Sequence, residues 1–201
     1  MRLILQWLAV LVLLWPAEAL GAVRIDFHSR DYDRRFPHAF VVLTGTVDAT
    51  GEAVDASYGF TPIGQISPAI LAGPAEGHVN PITAADIAKA NLHFSIVLTD
   101  EEYARVMARV AEWKALPQPS YRLRERNCIT FVADIAAVLG LDAAMVKGLE
   151  WKPHGFLDSV RDRNARAILA RGGEVFAVSR GARRAVTAQA SPVVASDSAT
   201  R

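Results

Sequence analysis

Alternation of hydrophobic and polar residues marks four stretches of this chain as half-buried β-strands. They cover residues 23–27, 38–47, 53–60 and 92–98. The second stretch is rich in β-branched and aromatic side chains, which favour extended structure. A turn at Asp48–Gly51 separates it from the third stretch, so these two strands are predicted to form a hairpin.

Helical periodicity dominates the second half of the chain. Thr99 and Glu102 form a capping-box pattern that opens a helix running to about Leu116. Asn127 is a favourable N-cap for a second helix over residues 128–139. Further helical segments are predicted at residues 83–90, 142–149 and 156–169. Because strands and helices occur in separate runs, the predicted class is α+β, with a small antiparallel β-sheet packed against helices.

Two segments between these elements are predicted to be irregular. Residues 29–35 are highly charged and are expected to form a loop before the second strand. Residues 61–80 are rich in proline and glycine and have few large apolar side chains. They predict a long surface excursion, the kind of segment that often covers a site.

The two ends of the chain are predicted to lie outside the folded domain. Residues 1–22 have a basic start, an apolar run and a candidate cleavage site at Ala17-Glu18-Ala19, as export signals do; an uncleaved anchor is the alternative. Residues 178–201 combine arginines with small residues and have no periodicity, which predicts a disordered basic tail. The folded domain is then residues 23–177, and the protein is expected to be periplasmic or secreted.

Composition excludes several classes of protein. The chain has 201 residues and is 51% hydrophobic, which is enough for a core and excludes full disorder. Its net charge of +1 gives no attraction to nucleic acid, and the basic excess of the tail favours at most contact with anionic surfaces. A single cysteine excludes a disulfide framework and a cysteine-rich zinc module. No two histidines have i, i+4 ligand spacing, so neither a metal nor another cofactor is expected.

The one cysteine, Cys128, is the first candidate for chemistry. An unpaired thiol is a liability in an oxidising compartment unless it has a use. Its predicted place at a helix N-terminus supplies free N–H groups and the positive end of the helix dipole, which lower a thiol pKa and can hold an oxyanion. The alternative is a buried structural cysteine on the apolar face of that helix.

A thiol nucleophile needs a base, and histidine is the usual one. Of the five histidines, His38 begins the strongest predicted strand, which would hold its ring rigidly. His93 is the rival, since it also lies on a predicted strand. The other three lie in or next to predicted loops.

Residues 127–132 read Asn-Cys-Ile-Thr-Phe-Val. They resemble the nucleophile motif Asn-Cys-x-x-Phe-Val of the lecithin:retinol acyltransferase-like branch of the NlpC-type, papain-like thiol hydrolases. That branch is circularly permuted: its catalytic histidine comes first, on a strand, and its cysteine follows at a helix start. Here His38 precedes Cys128 by 90 residues in the same order. The resemblance follows the order of elements over residues 23–169 and is specific at these two motifs.

The resemblance implies a circularly permuted papain-like fold in which Cys128 attacks an acyl carbon and His38 carries the proton. The family also has a polar residue, often histidine, on the next strand, where it orients the imidazole. This chain has no histidine there. Ser57 and Tyr58 are the preferred candidates and Asp55 is a third, while a Cys-His dyad without an orienting residue is the alternative.

The expected function is an exported thiol hydrolase or acyl transferase acting on an amide or ester bond. The resemblance implies a peptide or lipid acyl substrate, and export favours a cell-wall peptide. The alternative is a non-catalytic binding or envelope structural module on the same scaffold, with Cys128 buried. The catalytic hypothesis expects a ring nitrogen of His38 within about 4 Å of the sulfur. It also expects a thiol pKa below the free value of about 8.5.

Overall fold

The computed structural model describes residues 22–32, 35–64, 73–179 and 182–185. The strands are β1 (Val23–Tyr32), β2 (Arg35–Thr46), β3 (Ala53–Pro62), β4 (Gly77–Asn80), β5 (Asn91–Leu98), β6 (Glu174–Ser179) and β7 (Ala182–Ala185). The helices are α1 (Ala84–Ala88), α2 (Asp100–Lys114), α3 (Cys128–Val138) and α4 (Pro153–Ala170). Residues 1–21 of the predicted signal peptide and residues 186–201 of the predicted tail lie outside the described residues.

The seven described strands form one sheet in the order β4-β3-β2-β1-β5-β6-β7. Every pairing in it is antiparallel. The predicted hairpin is present as β2 and β3, and β1 lies between β2 and β5 at the centre of the sheet. The predicted α+β class, with an antiparallel sheet packed against helices, is confirmed.

Two boundaries of the strands differ from the sequence-based prediction. Residues 29–32 and Arg35 lie in strands and not in the predicted loop, because β1 continues to Tyr32 and β2 begins at Arg35, and Tyr32 pairs with Arg35. At the other end, β6 and β7 continue the sheet to residue 185. The described residues from 178 to 185 therefore lie in strands and not in the predicted disordered tail. The predicted excursion over residues 61–80 ends in β4, which pairs with β3.

Residues 142–149 do not form the predicted helix. The side chain of Asn164, on α4, accepts the backbone N–H of Asp142 at 2.8 Å and donates to its carbonyl at 2.9 Å. These bonds fix the backbone of Asp142 against α4.

The two faces of the sheet are covered differently. Helices α2, α3 and α4 pack on one face and enclose the main core, whose largest fully buried side chains include Phe27, Phe60, Phe94, Phe131 and Phe156. The opposite face carries Phe40 and Val42, which are covered by the segment around α1 through Ile82, Ile87 and Ala90. Because side chains alternate along a strand, these two faces decide which candidate residues can meet.

Both longer helices of the central region begin as predicted. Thr99 caps α2 in a capping box, and Asn127 caps α3. Asp134 of α3 accepts hydrogen bonds from Arg109 Nη1 at 2.6 Å and from Trp113 Nε1 at 2.8 Å, which fixes α2 against α3. In the part of the chain that the structure describes, no helix combines the length and the apolar character needed to cross a membrane.

We predict that Gly173→Ala destabilises the fold by about 1–3 kcal/mol, the usual range for overpacking. A Cβ at Gly173 would press on the backbone oxygen of Ser95 and lie 2.8 Å from Ile168 Cγ2, between β5 and α4. The matched control is Gly73→Ala, where a Cβ meets no atom within 4 Å. Urea unfolding of both variants measures the difference. Equal stability of the two variants would contradict this packing.

Candidate active site

Cys128 lies at the first position of α3, next to the cap residue Asn127. The Asn127 side-chain oxygen accepts the N–H groups of Ile129 at 2.8 Å and Thr130 at 3.1 Å. Its amide nitrogen donates to the carbonyls of two loops, which precede α3 and α4. The predicted role of Asn127 as a cap is confirmed. All of its side-chain bonding groups are engaged, so it holds the backbone around the cysteine in place.

The thiol of Cys128 faces the backbone of β2. The N–H of Ala39 lies against the sulfur, together with the N–H groups of Cys128 and Ile129. This contact is possible because β2 and β3 stop pairing beyond Val41 and Tyr58, and β3 continues with β4. The two strands separate at the point where the start of α3 meets the sheet.

Burial raises the pKa of the Cys128 thiol to about 11, and the surrounding N–H groups only partly oppose that rise. The residue is 8% exposed. The expectation of a pKa below the free value was therefore wrong, because removal of water from the thiolate outweighs the helix N-terminus. The resting cysteine is a neutral thiol.

His38 and Cys128 lie on opposite faces of the sheet. Ala39 belongs to the main core with Cys128, whereas His38 points to the same side as Phe40, with ring centroids 5.9 Å apart. The expected contact between His38 and the sulfur is not formed: Nε2 of His38 is buried and has no hydrogen-bond partner in the described residues. The right strand meets the cysteine, but strand alternation directs the ring away from it.

The His38 ring fills a tight site between the sheet and the α1 segment. A Cβ placed on Gly59 would lie 2.5 Å from His38 Nε2 and 2.9 Å from Ile82 Cδ1, so only glycine fits there without displacement. Burial lowers the pKa of His38 to about 4, although the charge of Asp86 opposes this. A neutral ring in such packing is typical of a structural histidine.

Neither predicted orienting residue contacts a histidine ring. Ser57 shares the face of His38, but its hydroxyl accepts the N–H of Ile82 at 2.9 Å and donates to the Ile82 carbonyl at 3.3 Å. Tyr58 points to the helix face, where Lys114 Nζ lies 4.9 Å from its ring centroid. Ser57 thus fixes the α1 segment to the sheet, and Tyr58 packs at the edge of the core.

A different set of residues lies on the helix face with Cys128. Ser29 Oγ is 2.7 Å from Nε2 of His93, and Nδ1 of His93 is 2.9 Å from Oδ1 of Asp158 on α4. The side chains of Ser29 and His93 are fully buried. Hydroxyl, imidazole and carboxylate follow one another as they do in serine-histidine-aspartate triads. We call these three residues the relay cluster.

A β-bulge places His93 on this face. Phe27 pairs with Phe94, but the next residue, His28, pairs with Leu92, so His93 is the extra residue in β5. Bulges redirect side chains in this way. Simple alternation from Phe94 would have placed His93 on the opposite face. Ser29 could not be recognised from the sequence because the charged segment around it predicts a loop, and no motif marks Asp158.

The charges around the relay cluster define its protonation. An ionised carboxylate only accepts hydrogen bonds, so Nδ1 of His93 carries the proton that is shared with Asp158. Burial alone would raise the pKa of Asp158, but the hydrogen bond from His93 and the charge of Arg161, whose Nη1 is 2.6 Å from Oδ1, lower it overall. Burial lowers the pKa of His93 despite its carboxylate partner. The neutral ring therefore presents a bare Nε2 that accepts the Ser29 hydroxyl.

Ser29 connects the relay cluster to the cysteine through the sheet. It lies on β1 directly opposite Ala39, the residue whose N–H meets the Cys128 sulfur. Directly opposite residues of antiparallel strands have Cβ atoms about 4.5–5.5 Å apart and face the same side. Cys128 and the relay cluster therefore lie on one face of the sheet, with Ser29 opposite the residue whose N–H meets the sulfur.

Within the described residues, no group of three or more histidine, cysteine, aspartate or glutamate side chains is arranged to hold a metal ion. No protein-family model matches this chain, and neither a curated protein nor a solved structure shows significant similarity to it.

We predict that iodoacetamide labels Cys128 in the folded protein about 100-fold more slowly at pH 8 than in the unfolded chain. The reason is the small thiolate fraction of a thiol with a pKa of about 11. The labelling rate should still rise about tenfold per pH unit between pH 8 and 9.5. A rate that levels off below pH 8.5 would contradict the burial of this thiol.

We predict that folding stability falls as the pH is lowered from about 6.5 towards 4, and that His38→Gln reduces this slope. The unfolded chain binds a proton at His38 near pH 6.5, whereas the folded protein does so only near pH 4. The stabilisation is therefore complete above pH 6.5, and its loss amounts to about 3 kcal/mol at most. Chemical unfolding at several pH values measures it. The control is His78→Gln at an exposed site on β4; an equal slope in both variants would contradict the burial of His38.

Proposed function

We propose that this protein is a thiol hydrolase or acyl transferase in which Cys128 is the nucleophile and His93 is the proton acceptor. The observation that carries the proposal is the common face of Cys128 and the relay cluster, in which Ser29 lies opposite Ala39, the residue whose N–H meets the sulfur. The likeness of residues 127–132 to the permuted papain-like nucleophile motif supports the same cysteine. The proposal assigns the base to β5 instead of to His38 on β2.

The proton moves along the relay cluster to His93 and later returns by the same route. As the substrate carbonyl reaches Cys128, the thiol proton passes to Ser29 Oγ while the Ser29 proton passes to Nε2 of His93. Asp158 stabilises the resulting imidazolium through Nδ1. The sulfur then forms a bond to the acyl carbon, the bond to the leaving group breaks, and the leaving group takes the proton back from His93. Water or a second acceptor cleaves the thioester by the reverse path.

Backbone N–H groups at the separation of β2 and β3 can stabilise the negative charge that forms on the substrate. Asn127 engages the N–H groups of Ile129 and Thr130, so the first turn of α3 has few free donors. The N–H groups of Ala39 and Cys128 lie against the sulfur and are suited to hold the oxyanion that forms on the attacked carbonyl. Two backbone donors at the nucleophile are the usual requirement for acyl transfer.

The proposed substrate class rests on the resemblance, and the proposed location of the protein rests on the predicted export signal. An amide or ester is the substrate type of the resembled family, and an export signal at residues 1–22 favours a cell-wall peptide over an intracellular lipid ester. In this proposal the fold is a circularly permuted papain-like fold, and the basic tail contacts anionic surfaces of the envelope. The reaction as written needs no cofactor.

One observation favours the alternative, a non-catalytic binding or envelope module. Cys128 is 8% exposed and its pKa is about 11, as for a buried structural cysteine. In that case the relay cluster is a buried polar network that fixes α4 to the sheet. Turnover distinguishes the two functions, whereas the reactivity of the resting thiol does not.

We predict that the protein cleaves p-nitrophenyl acetate or peptidoglycan peptide fragments and that Cys128→Ala abolishes turnover. His93→Gln should lower kcat/KM by about 10²–10⁴-fold, the usual contribution of a general base. The loss should exceed that in His38→Gln. Because burial lowers the pKa of His93, the acid limb of the wild-type pH profile should have its midpoint below 6.5.

The opposite ranking, with His38→Gln inactive and His93→Gln active, would return the base to His38. If no wild-type turnover occurs on either substrate while the protein remains folded, the binding module is the better account. Thermal unfolding of each variant verifies the fold.

A further inference from the structure

Two surface loops meet beside the start of α3. Residues 121–126 form one of them, a tight turn closed by hydrogen bonding between Arg122 and Arg126. Residues 147–152 form the other, just before α4. The amide nitrogen of Asn127 donates to the Leu123 carbonyl at 2.6 Å and to the Glu150 carbonyl at 2.9 Å. The cap of the cysteine helix therefore holds both loops together.

Arg124 and Trp151, the residues that follow Leu123 and Glu150, stack on each other. The guanidinium carbon of Arg124 lies 5.1 Å from the ring centroid of Trp151. Trp151 remains 45% exposed, which is unusual for so large an apolar side chain, and Arg124 is exposed as well. A guanidinium held over an aromatic ring is pre-oriented for bidentate binding, since stacking restricts its rotation without using its N–H donors.

The charge of this surface differs from that of the rest of the domain. The two loops carry five basic side chains against two acidic ones, although the remainder of residues 23–177 is net acidic. Both acidic side chains are already partly engaged: Glu125 lies 3.9 Å from Arg122, and Glu150 accepts the N–H of Gly148. The basic members are Arg122, Arg124, Arg126, Lys147 and Lys152. We call these loops the basic rim.

We propose that the basic rim selects acyl substrates that carry an anionic group, a carboxylate or a phosphate, close to the bond that Cys128 attacks. The inference rests on the proposed function and specifies its substrate. Asn127, the residue before the nucleophile, bonds to both loops of the rim, so the basic rim borders the start of the cysteine helix. The Trp151 ring offers an apolar surface to the chain that joins the two groups.

The test compares esters with and without an anionic group. Mono-p-nitrophenyl glutarate carries a free carboxylate, and p-nitrophenyl butyrate is its neutral counterpart; a phosphonate-bearing p-nitrophenyl ester forms the second anionic arm. Arg124→Gln should lower the ratio of kcat/KM for an anionic ester to that for the neutral ester by about tenfold, and high salt should lower the same ratio in the wild type. Arg166→Gln, an exposed arginine near the other end of α4, is the matched control and should keep the wild-type ratio.

A binding measurement separates this inference from the proposed function. Monomethyl glutarate and dimethyl glutarate are titrated into the Cys128→Ala protein while the indole N–H signal of Trp151 is followed by NMR. A shift with the monoester alone, lost in Arg124→Gln, supports the basic rim whether or not an ester is turned over. Equal responses to both compounds, or an unchanged kcat/KM ratio in Arg124→Gln, would overturn the inference and leave the proposed nucleophile unaffected. The anion that gives the larger ratio identifies the preferred group as carboxylate or phosphate.

Discussion

The hydrogen bond between His93 on β5 and Asp158 on α4 connects the sheet to the helix. The imidazole of His93 is fully buried. Both ring nitrogens of the buried His93 have a partner, since Asp158 serves Nδ1 and Ser29 serves Nε2. Arg161 and His154 in turn contact the carboxylate of Asp158, at 2.6 and 3.3 Å. Such a network fixes both the tautomer and the orientation of the ring. The position of α4, the bulge in β5 and the available lone pair of His93 all depend on this bond.

The second constraint is the separation of β2 from β3. Beyond Val41 and Tyr58 the two strands no longer pair, and the backbone of Ala39 meets the start of α3 instead of a neighbouring strand. This places a thiol beside backbone N–H groups, but it also removes the thiol from water. The resting site therefore holds a protonated cysteine and an uncharged histidine, the latter beside the ionised Asp158. Catalysis from such a state requires transfer of the proton as the substrate binds, which is the task we assign to Ser29.

Much of the fold could be predicted from the sequence, because periodicity and capping residues act locally. Thr99 and Asn127 begin their helices as expected, and the β2–β3 hairpin follows from its turn. The site could not be predicted to the same extent. Which face of β2 carries His38 depends on how the strand packs, and the bulge that redirects His93 has no signature in its own sequence. Asp158 joins the site only through tertiary packing, since it is 65 residues from His93.

The central claim is that Cys128 accepts an acyl group with the help of His93. The most direct measurement is mass spectrometry of the protein quenched in acid during turnover of p-nitrophenyl acetate. We expect one acetyl group on Cys128 as a thioester that neutral hydroxylamine removes, formed at least about 100-fold more slowly in His93→Gln, the lower limit expected for loss of a general base. An acetyl group on Ser29, or labelling of Cys128 at the same rate in His93→Gln as in the wild type, would contradict the account.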